Sequence, residues 1–464
     1  MEFRKIVLIN PENPSSRGVN RSTLYPPIGL AMLASVLKQE GFDVQVIDEA
    51  VTALSQDGPL TAVLDKRPHL VGISMNVINA SRAVQLARGL IKEGVHVVLG
   101  GPVASTCYRE IYKKVKPYCI VIGEGEQSFL RVCMGERLQD IEGICFMEDG
   151  QLKINPPAGP VEDLDLLPFP AYQLLPPLKS YRSRARLHPV APIITSRGCP
   201  FGCAYCNSGI FGRRFRARSP ESVVDEIEYL VKDFGVRQID IVDDNFTLDI
   251  ERADRILELI IKRGLNIAIN LQNGIRADRL THELVRKMKR AGVYKASIGV
   301  ESGSPEVLKA IGIRPGFDEI HRAVEWFRAE GISTTAFFII GLPDDTEESI
   351  LQSIQYAITL NPVVAVFSRF IPLPETVCYE RLKKQGLIRV EPCEGFSGGF
   401  FTSNSYFRHP VLSDAQITRL HRMAYRRFYL RPSKILEIIR DMRSLKEFGW
   451  LLRSSITLVK ELGL

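Results

Sequence analysis

Cys199, Cys203 and Cys206 stand in the run Ser196-Arg197-Gly198-Cys199-Pro200-Phe201-Gly202-Cys203-Ala204-Tyr205-Cys206, a Cys-x3-Cys-x2-Cys spacing. Three thiolates within eight residues of a glycine-containing loop can converge on one centre. Tetrahedral zinc asks for a fourth protein ligand, usually from a second pair. No such pair follows, and His188 and His282 are isolated. Three thiolates suit a [4Fe–4S] cluster whose fourth iron stays open, and open iron can chelate a substrate-like molecule. Arg197, Arg213, Arg214, Arg216 and Arg218 are expected to offset the charge of the cluster and of any bound carboxylate. A zinc knuckle or three free thiols are the plain alternatives. The other six cysteines, Cys107, Cys119, Cys133, Cys145, Cys378 and Cys393, lack ligand-like spacing and read as small buried hydrophobes.

The elements that must position this loop follow from periodicity. Residues 1–135 alternate short β-branched runs (Lys5–Ile9, Asp43–Ile47, Leu70–Ser74, His96–Leu99, Tyr118–Ile122) with helical stretches such as Ile28–Gln39 and Ala80–Lys92. Apolar runs without alternation predict strands covered on both faces, hence an α/β doubly wound parallel sheet. Its strand ends carry Ser74, Gly100, Gly101, Gly123, Glu124, Gly125 and Glu126, where ligands of such sheets bind. Residues 136–189 are Pro-rich and read as an ordered linker. Residues 190–390 predict six βα repeats, a partial TIM-type barrel with its chemistry at the strand C-termini. Those ends hold the three cysteines, Asp243-Asp244-Asn245, Gln272-Asn273 with Arg276, Glu301-Ser302, Gly341-Leu342-Pro343 and Pro372/Pro374. Residues 391–464 read as helical and basic.

Bulk properties agree with a folded chain. Of 464 residues, 45% are hydrophobic and 24% charged, which argues against long disorder or fibrous repeats. No apolar run reaches 18 residues and no signal peptide is read at the start, so a cytoplasmic protein with reduced thiols is expected. The net charge of +7 is uneven. Nine Lys/Arg and no acid fall within 166–220, around the cysteines, and twelve Lys/Arg against five acids fall within 408–464.

The cysteine run, with aromatic Tyr205 before the last Cys, resembles the cluster motif of the radical S-adenosylmethionine (SAM) superfamily over about residues 190–390. The resemblance implies that SAM binds the open iron through its amine and carboxylate. Reductive cleavage to methionine and a 5′-deoxyadenosyl radical would follow. It further implies that Asp243 and Asp244 lie where relatives meet the methionine amine, without saying which one does so. Glu301 and Ser302, in Gly299-Val300-Glu301-Ser302-Gly303, match the ribose-contacting position. Helix capping by Asp243/Asp244 and a helix first-turn role for Glu301 are the structural alternatives.

Tyr25-Pro26-Pro27-Ile28-Gly29-Leu30, Gly72-Ile73-Ser74, Leu99-Gly100-Gly101-Pro102 and Ile122-Gly123-Glu124-Gly125-Glu126 resemble the cobalamin-binding domain fused to one branch of that superfamily. The resemblance implies that the nucleotide tail of cobalamin lies near Ser74, Gly100, Gly101 and Gly123 to Glu126. The axial-histidine motif Asp-x-His-x-x-Gly is absent, which leaves coordination without His or a domain that binds no cobalamin. Methylthiotransferases share the Gly-Cys-Pro-Phe-x-Cys core but add N-terminal cysteines and an RNA-binding barrel. No cysteine precedes Cys107 here. The last barrel strand runs Pro372-Leu373-Pro374-Glu375-Thr376, with Glu375 where the family usually has Gly. That marks either specificity or a turn that needs no positive φ.

The resemblance implies methylation of an unactivated carbon, with rearrangement, cyclisation or C–C bond formation as the runner-up. A non-catalytic zinc or nucleic-acid module is the reading from another class. Expected partners are a small-molecule or lipid substrate and an electron donor such as flavodoxin or ferredoxin, with no nucleic acid. Phe448, Leu451, Leu452, Ile456, Leu458, Val459 and Leu462 fall on one helical face, which could touch an anionic membrane or pack at home.

Overall fold

The computed structural model describes residues 3–12, 24–52, 58–181, 185–207, 210–390 and 406–441. Cys393 and the stripe from Phe448 to Leu462 lie outside the described residues. The first sheet contains β1 (Lys5–Asn10), β2 (Asp43–Asp48), β3 (Leu70–Ser74), β4 (His96–Gly100), β5 (Cys119–Val121), β6 (Ile144–Glu148) and β7 (Gln151–Ile154). Their spatial order is β2-β1-β3-β4-β5-β6-β7. β1 to β5 are parallel, and chain order reverses beside β1. Helices Ile28–Gln39 and Glu126–Met134 bury Leu30, Ala34, Leu37, Phe129 and Val132 on one face. Ala80–Lys92 and Tyr108–Val115 bury Leu86, Leu90 and Ile111 on the other. Covering both faces accounts for the unbroken apolar runs.

The sheet continues beyond residue 135, into the segment expected to be a linker. β6 and β7 add antiparallel to it, joined at Asp149-Gly150, both with positive φ. Asp-Gly between strands is the favoured two-residue hairpin turn. Farther on, the Pro-rich segment straps the two halves together. Ala171 N–H donates to Ala31 O at 2.9 Å, and Ser35 Oγ donates to Phe169 O at 2.6 Å.

The second sheet is a parallel, sequential array of β8 (Val190–Ile193), then β11 (Gln238–Ile241), β12 (Ala268–Ile275), β13 (Val293–Glu301), β14 (Ser333–Ile340) and β15 (Val364–Arg369). Between β8 and β11 lie β9 (Ser196–Arg197) and β10 (Arg216–Ala217), a short antiparallel pair at the two ends of the cysteine loop. The first barrel strand therefore stops at Ile193, and Ser196–Arg197 pairs outside the barrel sheet. Helices Pro220–Phe234, Ile250–Lys262, His282–Arg290, Phe317–Ala329 and Glu347–Leu360 cover the outer face. Ser219, Asp249, Thr281 and Thr346 cap four of them through side-chain oxygens. Helix Asp414–Tyr429 packs on β15 and on Glu347–Leu360, so it covers the sheet's free edge. Among the described residues no helix is long and apolar enough to cross a membrane.

Candidate functional site

The cysteine loop leaves the barrel where β8 ends. Gly198 has φ +83°, and a Cβ there would stand 2.2 Å from Arg214 O, so only glycine fits. The loop is tied inward by Cys199 N–H to Gly212 O (3.3 Å) and Ala204 N–H to Ile311 O (2.9 Å). Cys199 and Cys203 are half-buried and Cys206 is exposed. Burial pushes all three thiols up, Cys206 to about 12, and repulsion from Cys203, Asp244, Cys199 and Glu301 adds to it there. Arg276, 4.2 Å above the Phe201 ring, opposes the shift at Cys199 and Cys203. Among the described residues no three His, Cys, Asp or Glu side chains form a group able to hold a metal ion. A four-iron cube takes each thiolate on a different iron, so its ligands stand apart more widely than those of a single ion. Three mutually repelling sulfurs on one loop fit that donor set.

The arginines do not serve the cluster as expected. Arg197 pairs with Glu124 (2.8 Å) and Glu126 (2.6 Å), and Arg216 pairs with Glu124. Arg214 pairs with Glu162 and Arg218 with Glu226, while Arg213 lies against Gly202. The nearer cation is Arg276, on the strand-end set.

Asp243 and Asp244, at the end of β11, have different surroundings. Asp243 is buried and accepts from Thr195 N–H, Thr195 Oγ1 and Ser196 Oγ. It anchors the entry to the cysteine loop. Neither aspartate caps the following helix, because Asp249 does. Asp244 is exposed, accepts from Gly198 N–H and raises the thiols of Cys199 and Cys206. Glu301 ends β13 with φ +63°, at an irregularity in the β13–β14 register. Its carboxylate folds over Gly299, where a Cβ would stand 2.5 Å from Oε1. Tyr205 donates a hydrogen bond to it, but burial still lifts the Glu301 carboxyl to about 7. Ser302 is buried, sits 3.2 Å from Ser353 Oγ and accepts from Ser304 N–H, so its hydroxyl is held in local structure. Glu375 has φ +61°, which excludes the reading of a turn that needs no positive φ. The preceding Pro374 O accepts from Asn207, next to Cys206, at 2.7 Å.

Across the junction lies a cavity of about 330 Å³ at the ends of β1, β3, β4 and β5. Ser74, Gly100, Gly101, Gly123, Glu124, Gly125 and Glu126 all line it, with Arg197, Ile210 and Phe211 closing it from the cysteine loop. A Cβ on Gly123 would meet nothing within 4 Å and would project into open space, whereas one on Gly101 would stand 2.7 Å from Met75 O. Such a glycine cradle fits a nucleotide-sized group. The carboxylates of Glu124 and Glu126, however, face Arg197 and Arg216. No histidine lines the cavity among the described residues, and His96 meets the rings of Phe3 and Tyr118 edge-on at the start of β4. The Arg197–Glu124 link was missed at the sequence level, because its halves lie 73 residues apart.

Residues 193–357 match the model of the radical SAM superfamily, and residues 16–132 match that of the B12 binding domain. An uncharacterized methyltransferase of Pyrococcus horikoshii is 31% identical over 451 residues, covering 95% of both chains. The anaerobic magnesium-protoporphyrin IX monomethyl ester cyclase of Rubrivivax gelatinosus is 29% identical, covering 82% of this chain and 70% of its own. Among solved structures, the radical SAM methyltransferase TsrM of Kitasatospora setae, with cobalamin and a [4Fe–4S] cluster bound, superposes with a TM-score of 0.68. It is 22% identical and covers 84% of this chain and 80% of its own.

Proposed function

The chain belongs to the cobalamin-binding branch of the radical SAM superfamily, and from that premise we propose that it methylates an unactivated carbon of a small molecule. Its cofactors are a [4Fe–4S] cluster, SAM and cobalamin. Bound together, they supply reductive cleavage of SAM and a methyl carrier; the electron would come from a donor such as flavodoxin or ferredoxin. The observation that carries the reading is one shared wall. Arg197 lines the glycine cavity and stands two residues before Cys199, so both cofactor sites meet at one junction.

In this reading Cys199, Cys203 and Cys206 would hold three irons, leaving the fourth for SAM. Asp244, exposed beside the thiols, would accept from the SAM amine, while Asp243 holds the loop. Glu301 would face the ribose, kept in place by Tyr205. Ser74, Gly100, Gly101, Gly123 and Gly125 would admit the nucleotide tail of cobalamin, with no histidine offered to cobalt. A second reading, radical cyclisation without methyl transfer, draws on the likeness to the cyclase.

The test is product stoichiometry in anaerobically reconstituted enzyme with substrate. Methylation requires one S-adenosylhomocysteine per 5′-deoxyadenosine. Release of 5′-deoxyadenosine alone favours the second reading. Cys203→Ala should lose iron and SAM cleavage while Cys378→Ala keeps both, and normal cleavage by Cys203→Ala would sink the assignment.

A further inference from the structure

The two faces of the barrel sheet differ in chemistry. Ile239, Ile241, Ile269, Leu271, Ala296 and Ile298 point outward and pack with the surrounding helices in one apolar core. The opposite face is polar on β11, β12 and the middle of β13, and turns apolar beyond Thr335, where Phe337 of β14 and Val364 and Val366 of β15 share it. Register aligns Asp240 with Asn270, Asn270 with Lys295, and Ser297 with Thr335, and partners in register share a face. Barrel interiors of this type are ordinarily filled by branched apolar side chains. Polar groups here replace that filling, on strands whose ends bear the cysteine loop, Asp244 and Glu301.

Hydrogen bonds fix which atoms of this face are available. Asp240 accepts from Tyr25 Oη and Gln238 Nε2, both at 2.7 Å, and from Asn270. Gln272 in turn donates to Tyr25 Oη. Both amides thus direct their NH2 groups into the Asp240–Tyr25 network, which settles their orientation. Among the described residues their carbonyls, Asn270 Oδ1 and Gln272 Oε1, are left buried without a donor, as is Thr335 Oγ1. Buried acceptors without partners are rare, and each calls for a donor beyond the described side chains. Tyr25 comes from the cobalamin-binding half, so the face is completed only where the two halves meet.

We propose that this inner face is the substrate site and that it takes a small polar molecule bearing N–H or O–H donors, such as an amine, an amide or a polyol. A molecule without N–H or O–H donors, such as a plain hydrocarbon, would leave Asn270 Oδ1, Gln272 Oε1 and Thr335 Oγ1 unpaired and is rejected on that ground. The inference rests on the radical reaction proposed above and adds the class of molecule that enters it.

The test uses the reconstituted holoenzyme and two extracts of D2O-grown host cells, one aqueous methanol and one hexane. Hydrogen abstraction from substrate places deuterium in 5′-deoxyadenosine. Label is expected from the aqueous extract and not from hexane. Thr335→Val is isosteric, and Gln272→Met removes one carbonyl. Each should lower labelling about tenfold, the worth of one hydrogen bond at the upper end of its range, with iron content and SAM affinity unchanged. Label from the hexane extract alone, or full labelling by both variants, would overturn the inference and leave the radical reaction standing. In the latter case the orphan acceptors are merely hydrated. Label from neither extract would overturn the radical reaction itself.

Discussion

Neighbouring side chains at the end of β11 differ by burial, and burial assigns their work. Asp243 receives three hydrogen bonds from Thr195 and Ser196, just ahead of the cysteine loop. Asp243→Asn forces an amide among those donors and should cost about 1.5–3 kcal/mol, the range for a hydrogen bond to a charged group. Thermal melting and iron content would both fall. Asp244→Asn should melt like the wild type and keep its iron but bind SAM at least about tenfold more weakly, measured by equilibrium dialysis; unchanged affinity would remove Asp244 from the site. Both aspartates were legible in the sequence as strand-end acids. Which of them is open was not, because the difference is made by Thr195 and Ser196, 48 and 47 residues away. Glu375 gives a second residue-scale test. At φ +61° a non-glycine residue is strained by about 1–2 kcal/mol, so Glu375→Gly should raise the melting temperature. A lower melting temperature would mean that the side chain itself stabilises the turn.

Helix Asp414–Tyr429 exists to cover an edge, and its ties show how. Tyr425 and Tyr429 donate to Phe367 O (3.2 Å) and Ala365 O (2.9 Å) of β15, and His421 Nε2 lies 2.8 Å from Phe367 O. That carbonyl makes His421 a donor through Nε2, and burial depresses the imidazole to about 4. A base whose folded pKa is depressed adds stability that is present above its unfolded pKa near 6.5 and lost as pH falls through 4. The loss amounts to about 3 kcal/mol over that window. His421→Gln should flatten the acid limb of a urea-melt pH series between 6.5 and 4, and an unchanged limb would show that His421 does not titrate with unfolding. Elements were the most legible level of this chain. Helices Ile28–Gln39 and Ala80–Lys92 match their periodicity end to end, since each buries one face on a sheet. The β6–β7 hairpin was lost to the surrounding prolines, although Asp149-Gly150 marks its turn. The alternation Gln238-Ile239-Asp240-Ile241 likewise marks a polar inner face that a reading in apolar runs passes over.

At the scale of the molecule, two halves that the sequence presents in series are joined through buried charge. Glu124 and Glu126 close the first sheet, and Arg197 and Arg216 bracket the cysteine loop; each of the four side chains is at most 8% exposed. Arg197 stays more strongly protonated than usual, because Glu126 and Glu124 outweigh the burial that opposes its charge. The sequence displayed the basic block but not its destination, which is a neighbouring domain and not the cluster. Two acids against two guanidiniums leave no net charge, and Val161 O and Phe211 O take further N–H groups of Arg216. Glu124→Gln would leave Arg197 with Glu126 alone and Arg216 without a carboxylate partner, and an uncompensated buried charge costs about 3–5 kcal/mol. Because Arg197 lies two residues before Cys199, that loss should reach the cluster as well as the junction. The expected outcome is a lower calorimetric transition in the full chain, reduced iron after reconstitution, and weaker cobalamin retention on gel filtration. Removing both charges of one pair, Glu124→Leu with Arg216→Met, should recover most of the thermal stability, since a buried pair replaced by apolar groups of similar volume is near neutral. Recovery of stability without recovery of cobalamin retention would show that the charges serve the cavity beyond holding the halves together. A Glu124→Gln protein that melts and loads like the wild type would show that the two halves are held by their apolar contacts and the hydrogen bonds of the strap and Tyr25, without this buried charge.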